Sequence, residues 1–137
     1  MLSELRNFVN GTKDDWNYIT PVDYYNKYHE KNNHVLIDLR DKDSFTKFHI
    51  KNAVNIFWLD LLNDKNLRML QNIPKNKTIF LICYLGHTSS QALVWLKLLG
   101  FTNVVSIKFG YGKSPVFGVP VAGWLSFNLP TEPKCDF

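Results

Sequence analysis

One cysteine stands where the sequence can support covalent chemistry. Cys83 closes the apolar run TIFLIC, residues 78–83, and is followed by Tyr84-Leu85-Gly86-His87-Thr88 before an apolar, helix-like segment begins near Ser89. A short loop of this kind can curl so that successive backbone N–H groups point inward and form an anion-binding nest. A helix starting near Ser89 aims its positive end at the same point. A thiolate is stabilised at a helix N-terminus, and the thiolate is the nucleophilic form of cysteine. Gly86 opens a backbone conformation closed to other side chains. Thr88 and Ser89 supply hydroxyl donors and can also cap the helix. The competing role for Cys83 is that of a small buried hydrophobe. The order of strand, glycine loop and helix favours the reactive role.

The elements that would position this cysteine follow from local pattern. Residues 1–17 read as a polar arm or short helix, with a short strand at Tyr18-Ile19-Thr20. Thr20-Pro21-Val22-Asp23 is a helix start, with Thr20 capping and Pro21 at the first turn. HVLIDLR, residues 34–40, is a buried strand, Ser44–His49 a short helix, and Ala53–Ile56 another strand. Asp60–Leu70 is expected to be helical, with Leu61, Leu62, Leu67 and Leu70 forming its apolar stripe. Residues 78–83 are almost continuously apolar, as a parallel strand covered on both faces should be. Ser89–Leu99 is the next helix, stopped by Gly100 with Phe101 packing beyond it, and Val104–Ile107 is the last strand. Short buried strands alternating with helices predict an α/β fold, a central, mainly parallel sheet of about five strands with helices on both faces. The segment 110–124 is loop-rich and is expected to wall or cover Cys83. Residues 18–130 form the domain, and 131–137 a surface tail.

Composition sets limits on function. The chain has 137 residues, 45% of them hydrophobic and 20% charged, which fits one globular domain and argues against disorder. The net charge of +4 is carried by scattered lysines and by Arg6, Arg40 and Arg68, so nucleic-acid binding is not expected. No apolar run approaches the roughly 20 residues of a membrane span, and the first residues lack the apolar core of a signal peptide. Cys83 and Cys135 are too few for a disulfide framework or a zinc site, so the expected compartment is the reducing cytoplasm. Cys135 reads as an idle thiol in the tail, the alternative being that it resolves an intermediate on Cys83.

Three stretches in order carry a family resemblance: VLIDLRDKDSFTKFHIKNAVNI at 35–56, IFLICYLGHTSSQALVWLKLLGFTNVVSI at 79–107, and AGWLSFNLP at 122–130. They resemble the Asp-x-Arg strand with its His-Ile turn, the Cys-x-x-Gly-x-Thr loop with its helix, and the late Trp-to-Pro segment of single-domain rhodanese-like proteins. The resemblance implies a rhodanese-like fold and sulfur transfer. Cys83 would take a sulfane sulfur as a persulfide and yield it to an acceptor, with Tyr84, Leu85, Gly86, His87, Thr88 and Ser89 cradling the sulfur. Asp38, Arg40 and His49 would support the loop, the first two as a buried pair and His49 through a turn-fixing hydrogen bond. No metal and no organic cofactor are implied. The implied partners are a small sulfur donor and a thiol or cyanide acceptor, with a sulfur-carrier protein as a further partner, and the protein would be a monomer or homodimer.

The chain also departs from the family pattern. Its loop carries no Arg or Lys, leaving His87 as the only titratable cation there, and Tyr84 and Leu85 make the entrance more apolar. Both features point away from thiosulfate and toward a protein or small-thiol persulfide. Phe48, Lys51 and Asn52 replace the usual Gly, Pro and Gly, and the late Gly-Gly turn is missing. A tyrosine-phosphatase loop is excluded because no Arg lies near Cys83, and phosphoryl transfer needs a cationic clamp. Gly112-Lys113-Ser114 mimics the end of a nucleotide-binding loop, but Ile107 stands where its first glycine belongs and Pro115 follows it. A non-catalytic binding module, or a carrier passing sulfur from protein to protein, remains the alternative to a sulfurtransferase.

Overall fold

A computed structural model describes residues 1–11, 17–115 and 120–135. The chain runs α1 (Leu2–Gly11), β1 (Tyr18–Ile19), α2 (Pro21–Tyr28), β2 (His34–Asp38), α3 (Lys42–Lys47), β3 (Val54–Asn55), α4 (Asp64–Gln71), β4 (Thr78–Ile82), α5 (His87–Leu98) and β5 (Val104–Ile107), with 3₁₀ turns at Trp58–Asp60 and Trp124–Phe127. The five strands form one sheet in the order β1-β5-β4-β2-β3, and every pairing is parallel. β4 lies at the centre and pairs with β2 from His34–Thr78 through Asp38–Ile82. Its residues Ile79 to Ile82 are all buried, which is why this strand reads as an unbroken apolar run rather than an alternating one.

Strand alternation divides the core in two. Ile37, Leu39, Ile79, Leu81 and Cys83 face one side, where Ala92, Leu93 and Leu96 of α5 and Leu70 of α4 cover them. Leu36, Phe80, Ile82 and Ile107 face the other, under Tyr24 of α2 and the fully buried Trp124. The α/β sheet with helices on both faces follows directly from these two apolar layers. α1 contributes no buried residue. Among the described residues, no helix is long and apolar enough to cross a membrane.

Several boundaries differ from the sequence reading, each for a local reason. Thr20 does cap α2, its hydroxyl accepting from the Asp23 N–H at 3.1 Å. α3 starts two residues earlier than Ser44 because the Asp41 carboxylate accepts from the Ser44 N–H at 2.7 Å. The expected helix 60–70 is split. Asn63 accepts from the Asn66 N–H at 2.8 Å and starts α4 at Asp64, leaving Leu61 buried in the turn and Leu62 exposed. β4 stops at Ile82, one residue before Cys83, and α5 begins at His87 rather than Ser89. Gly100, at φ 97°, ends α5 as expected, with the Phe101 N–H reaching the Leu96 carbonyl at 3.0 Å.

Beyond Pro130 the chain does not hang free. His49 and Glu132 exchange backbone hydrogen bonds at 2.9 and 2.8 Å, and the Trp124 indole donates to the Pro130 carbonyl at 3.0 Å. Cys135 packs against the Trp124 side of the sheet, opposite the Cys83 side, so the two thiols belong to different apolar layers. Both are free thiols.

Candidate active site

β2, β4 and β5 end side by side, and their carboxyl ends define one edge of the sheet, the usual ligand edge of an open α/β fold. Cys83 leaves β4 at that edge. Three residues turn the chain, and α5 begins. The turn closes because Gly86 adopts φ 96°, and a Cβ there would stand 3.0 Å from the Phe109 backbone nitrogen. Entering the helix this early aims two N–H groups at the sulfur: Gly86 donates to Sγ at 3.1 Å and Ser89 at 3.3 Å. The Ser89 hydroxyl lies 3.4 Å from Sγ. The thiol is 5% exposed, so a reactant must come to it through the adjoining cavity.

That cavity has a volume of about 170 Å³. Cys83, Tyr84, Leu85, His87 and Thr88 line it together with Leu39, Arg40, Asp41, Phe57, Trp58 and Ser114. The structure thus gathers Cys83 and four of the six loop residues singled out by sequence in one concavity, and the other two, Gly86 and Ser89, hold the sulfur through their N–H groups. Phe57 and Trp58 were not foreseen. They lie just past the short strand β3, and nothing in their local pattern distinguishes them from ordinary core aromatics. Ser114 makes part of the 110–124 segment a wall of the cavity; residues 116–119 of that segment lie outside the described residues.

Arg40 and Asp38 sit behind the loop as a buried fork. The Arg40 Nη2 and Nε donate to Asp38 at 2.8 and 3.0 Å, and both side chains are almost fully enclosed. The guanidinium carbon lies 4.0 Å from the Tyr111 ring centroid and 5.3 Å from that of Tyr84. The Tyr111 hydroxyl donates to Asp38 at 2.8 Å and accepts from the Ile50 N–H at 3.1 Å. Burial, the largest single influence, lowers the Arg40 pKa, but the hydrogen bond to Asp38 together with the charges of Tyr111, Asp38 and Tyr84 outweighs it and the net shift is upward. Burial, reinforced by the Asp38 charge, pushes Tyr111 well above the usual phenol range. The Tyr84 hydroxyl reaches Ser44 on α3, so the loop's first side chain is fastened to the wall.

His49 stands apart. Its Nδ1 pairs with the Phe45 carbonyl at 2.9 Å and its ring stacks on Phe45 at 3.9 Å, outside the cavity lining. The missing Gly-Gly turn has a counterpart that sequence reading overlooked. Gly110-Tyr111-Gly112 crosses the loop, the Tyr111 N–H donating to the Cys83 carbonyl at 3.0 Å and the Gly112 N–H to the Tyr84 carbonyl at 2.8 Å. The Gly112-Lys113-Ser114 stretch is part of this strap. Among the described residues, no cluster of His, Cys, Asp and Glu is arranged to hold a metal.

An all-parallel five-stranded sheet with a cysteine loop opening onto a helix N-terminus defines the class, a rhodanese-like α/β domain. The rhodanese-like domain matches residues 20–113, and the chain belongs to that family. Over 104 residues it is 33% identical to a Candida albicans protein named adenylyltransferase and sulfurtransferase UBA4; the match covers 73% of the chain but 24% of that relative. The thiosulfate sulfurtransferase GlpE of Vibrio cholerae is 29% identical over 97 residues, 71% of the chain and 77% of the relative. A rhodanese-related crystal structure from Thermoplasma volcanium superimposes with a TM-score of 0.64 at 21% identity, over 85% of this chain and 97% of that one. At that identity the likeness speaks for the fold alone.

Proposed function

We propose that the protein is a sulfurtransferase in which Cys83 carries the sulfur. The observation behind this reading is the sulfur's setting: Sγ accepts N–H groups at 3.1 and 3.3 Å from the start of a helix, beside a cavity of about 170 Å³. In the first step the Cys83 thiolate attacks the outer sulfur of a sulfane donor. The new S–S bond forms as the donor's own bond to that sulfur breaks, and the electron pair leaves with the donor remnant. The negative charge then rests on the outer sulfur of the Cys83 persulfide. In the second step cyanide or an acceptor thiolate attacks that outer sulfur, and the electron pair of the broken bond returns to Sγ. Each half-reaction has an anion to stabilise, and fixed N–H donors do so without reorganising.

The cavity also bears on the donor. Its one guanidinium, Arg40, is committed to Asp38, and Leu39, Phe57, Trp58 and Leu85 make much of the wall apolar. An organic or protein persulfide suits this wall better than doubly charged thiosulfate. The curated relatives carry sulfurtransferase in their names, and UBA4 is several times longer than the matched stretch. A protein-to-protein sulfur carrier therefore stands as the second reading.

The test is thiocyanate formation from cyanide with thiosulfate, 3-mercaptopyruvate and glutathione persulfide, with intact mass read on the same samples. Turnover and a gain of one sulfur are expected for the wild type, greatest with the persulfide, and both should vanish in Cys83→Ala. Absence of added sulfur with all three donors would exclude the small-donor enzyme and leave the carrier or binding role.

A further inference from the structure

A buried hydroxyl behind the candidate nucleophile has no place in a purely apolar core. Ser106 lies on β5, two residues from Val104, and strand alternation puts both on the α5 side of the sheet. Ser106 is fully enclosed. A hydroxyl buried there without a partner costs about 1–3 kcal/mol. Its partner is Ser89: the Ser106 Oγ donates to the Ser89 Oγ at 2.8 Å, and the Ser89 Oγ in turn lies 3.4 Å from the Cys83 Sγ. We propose that Ser106 is a positioning residue, which holds the Ser89 hydroxyl so that it can turn its proton toward Cys83 whenever negative charge sits on Sγ.

Counting donors and acceptors shows how the switch works. The Ser89 hydroxyl has one proton and two lone pairs. Ser106 fills one lone pair. When Cys83 is a thiol, its S–H fills the second, and the Ser89 proton goes to the Gly86 carbonyl at 3.2 Å. When Cys83 is a thiolate it can no longer donate, and the Ser89 proton turns to Sγ. The carbonyl left behind is not orphaned, because the Ser90 hydroxyl donates to it at 2.7 Å and the Ser90 N–H at 3.1 Å. The rotation therefore leaves no buried polar group unpaired in either state. Its fixed end is Ser106, without which the Ser89 oxygen loses its strongest anchor.

The consequence for sulfur transfer rests on the proposed function. Sγ bears the charge in the unloaded anion and regains it as the bond to the outer sulfur breaks. In the persulfide the charge has moved outward, toward the cavity. Ser106 and Ser89 thus act when Sγ is nucleophile or leaving group, and Ser106 touches no donor. Loss of Ser106 should lower kcat and leave the donor KM unchanged.

The first test needs no sulfur transfer: the rate at which iodoacetamide alkylates Cys83 at pH 7, followed by intact mass. Ser106→Ala and Ser89→Ala are each expected to slow it about fivefold, the scale of one hydrogen bond to a charged group felt partly. The double variant should be no slower than Ser89→Ala alone, since both act through one hydroxyl. Ser106→Thr, which keeps the hydroxyl, should stay within about twofold of wild type. Additive losses, or an Ala variant as fast as wild type with an unchanged melting temperature, would overturn the proposal. If alkylation follows the expected pattern but no donor loads sulfur onto wild-type Cys83, the relay stands and the sulfurtransferase reading falls.

Discussion

Arg40 shows how much a single side chain can organise at the residue scale. Its guanidinium forks onto Asp38, donates to the Phe48 carbonyl, and lies against the rings of Phe48, Tyr84 and Tyr111. Two charges taken out of water this completely contribute little net stability, but leaving one of them unpaired is severe. Arg40→Met is therefore expected to destabilise the fold by about 3–5 kcal/mol, because Asp38 remains buried beneath it. Asp38→Asn should cost a comparable amount, since the amide oxygen still accepts from the guanidinium but leaves its buried charge without a counter-ion. Urea unfolding with unchanged m-values measures both. Small losses in both variants would contradict the buried ion pair.

At the scale of elements, the loop is shaped as much by the strap above it as by its own sequence. Gly110 has φ 53°, and a Cβ built on it would stand 2.0 Å from the Cys83 carbonyl oxygen. Neither partner can yield, because both atoms involved are held by the backbone. Gly100 offers the contrast: it has φ 97° at the end of α5, with nothing within 4 Å of an added Cβ. Gly100→Ala should cost only the left-handed strain, about 1–2 kcal/mol. Gly110→Ala should cost considerably more and displace Cys83 with it. Thermal melts compare the two, and similar losses would mean that the strap moves aside without resistance.

The whole molecule carries a pH dependence remote from the thiol. His29 and His34 sit beside Tyr24, Trp124 and Phe80, and the Tyr24 hydroxyl pairs with the His34 Nε2 at 2.7 Å. Burial is the leading cause that lowers both imidazoles below the ordinary histidine value. For His29, the Glu30 and Glu132 charges oppose that shift and Lys51 adds to it. The folded chain keeps these rings neutral where the unfolded chain binds protons. Their stabilisation is thus complete above about pH 6.5 and is lost as pH falls below that value toward the depressed folded pKa values. The melting temperature should drop between pH 7 and 5.5, and the drop should flatten in the His29→Gln, His34→Gln double variant. A wild-type melt that is level over this range would contradict the assignment.

How much of this was legible in the sequence depends on the range over which each feature is determined. The central strand, the Thr20 cap, the Gly100 stop and the cysteine at a strand-to-helix junction are local patterns, and each reappears within a residue or two. The boundaries that moved were set by single caps, Asp41 and Asn63, competing with the apolar period. What only the tertiary structure decided is long-range. Phe57 and Trp58 reach the cavity because β3 pairs with β2, Gly110-Tyr111-Gly112 clamps the loop because β5 lies beside β4, and Ser106 finds Ser89 across 17 residues. Sequence alone determined which residue carries the thiol and the local elements that present it. The parallel sheet decided what surrounds it, because strands far apart in the chain end at one edge and bring their side chains to the same point.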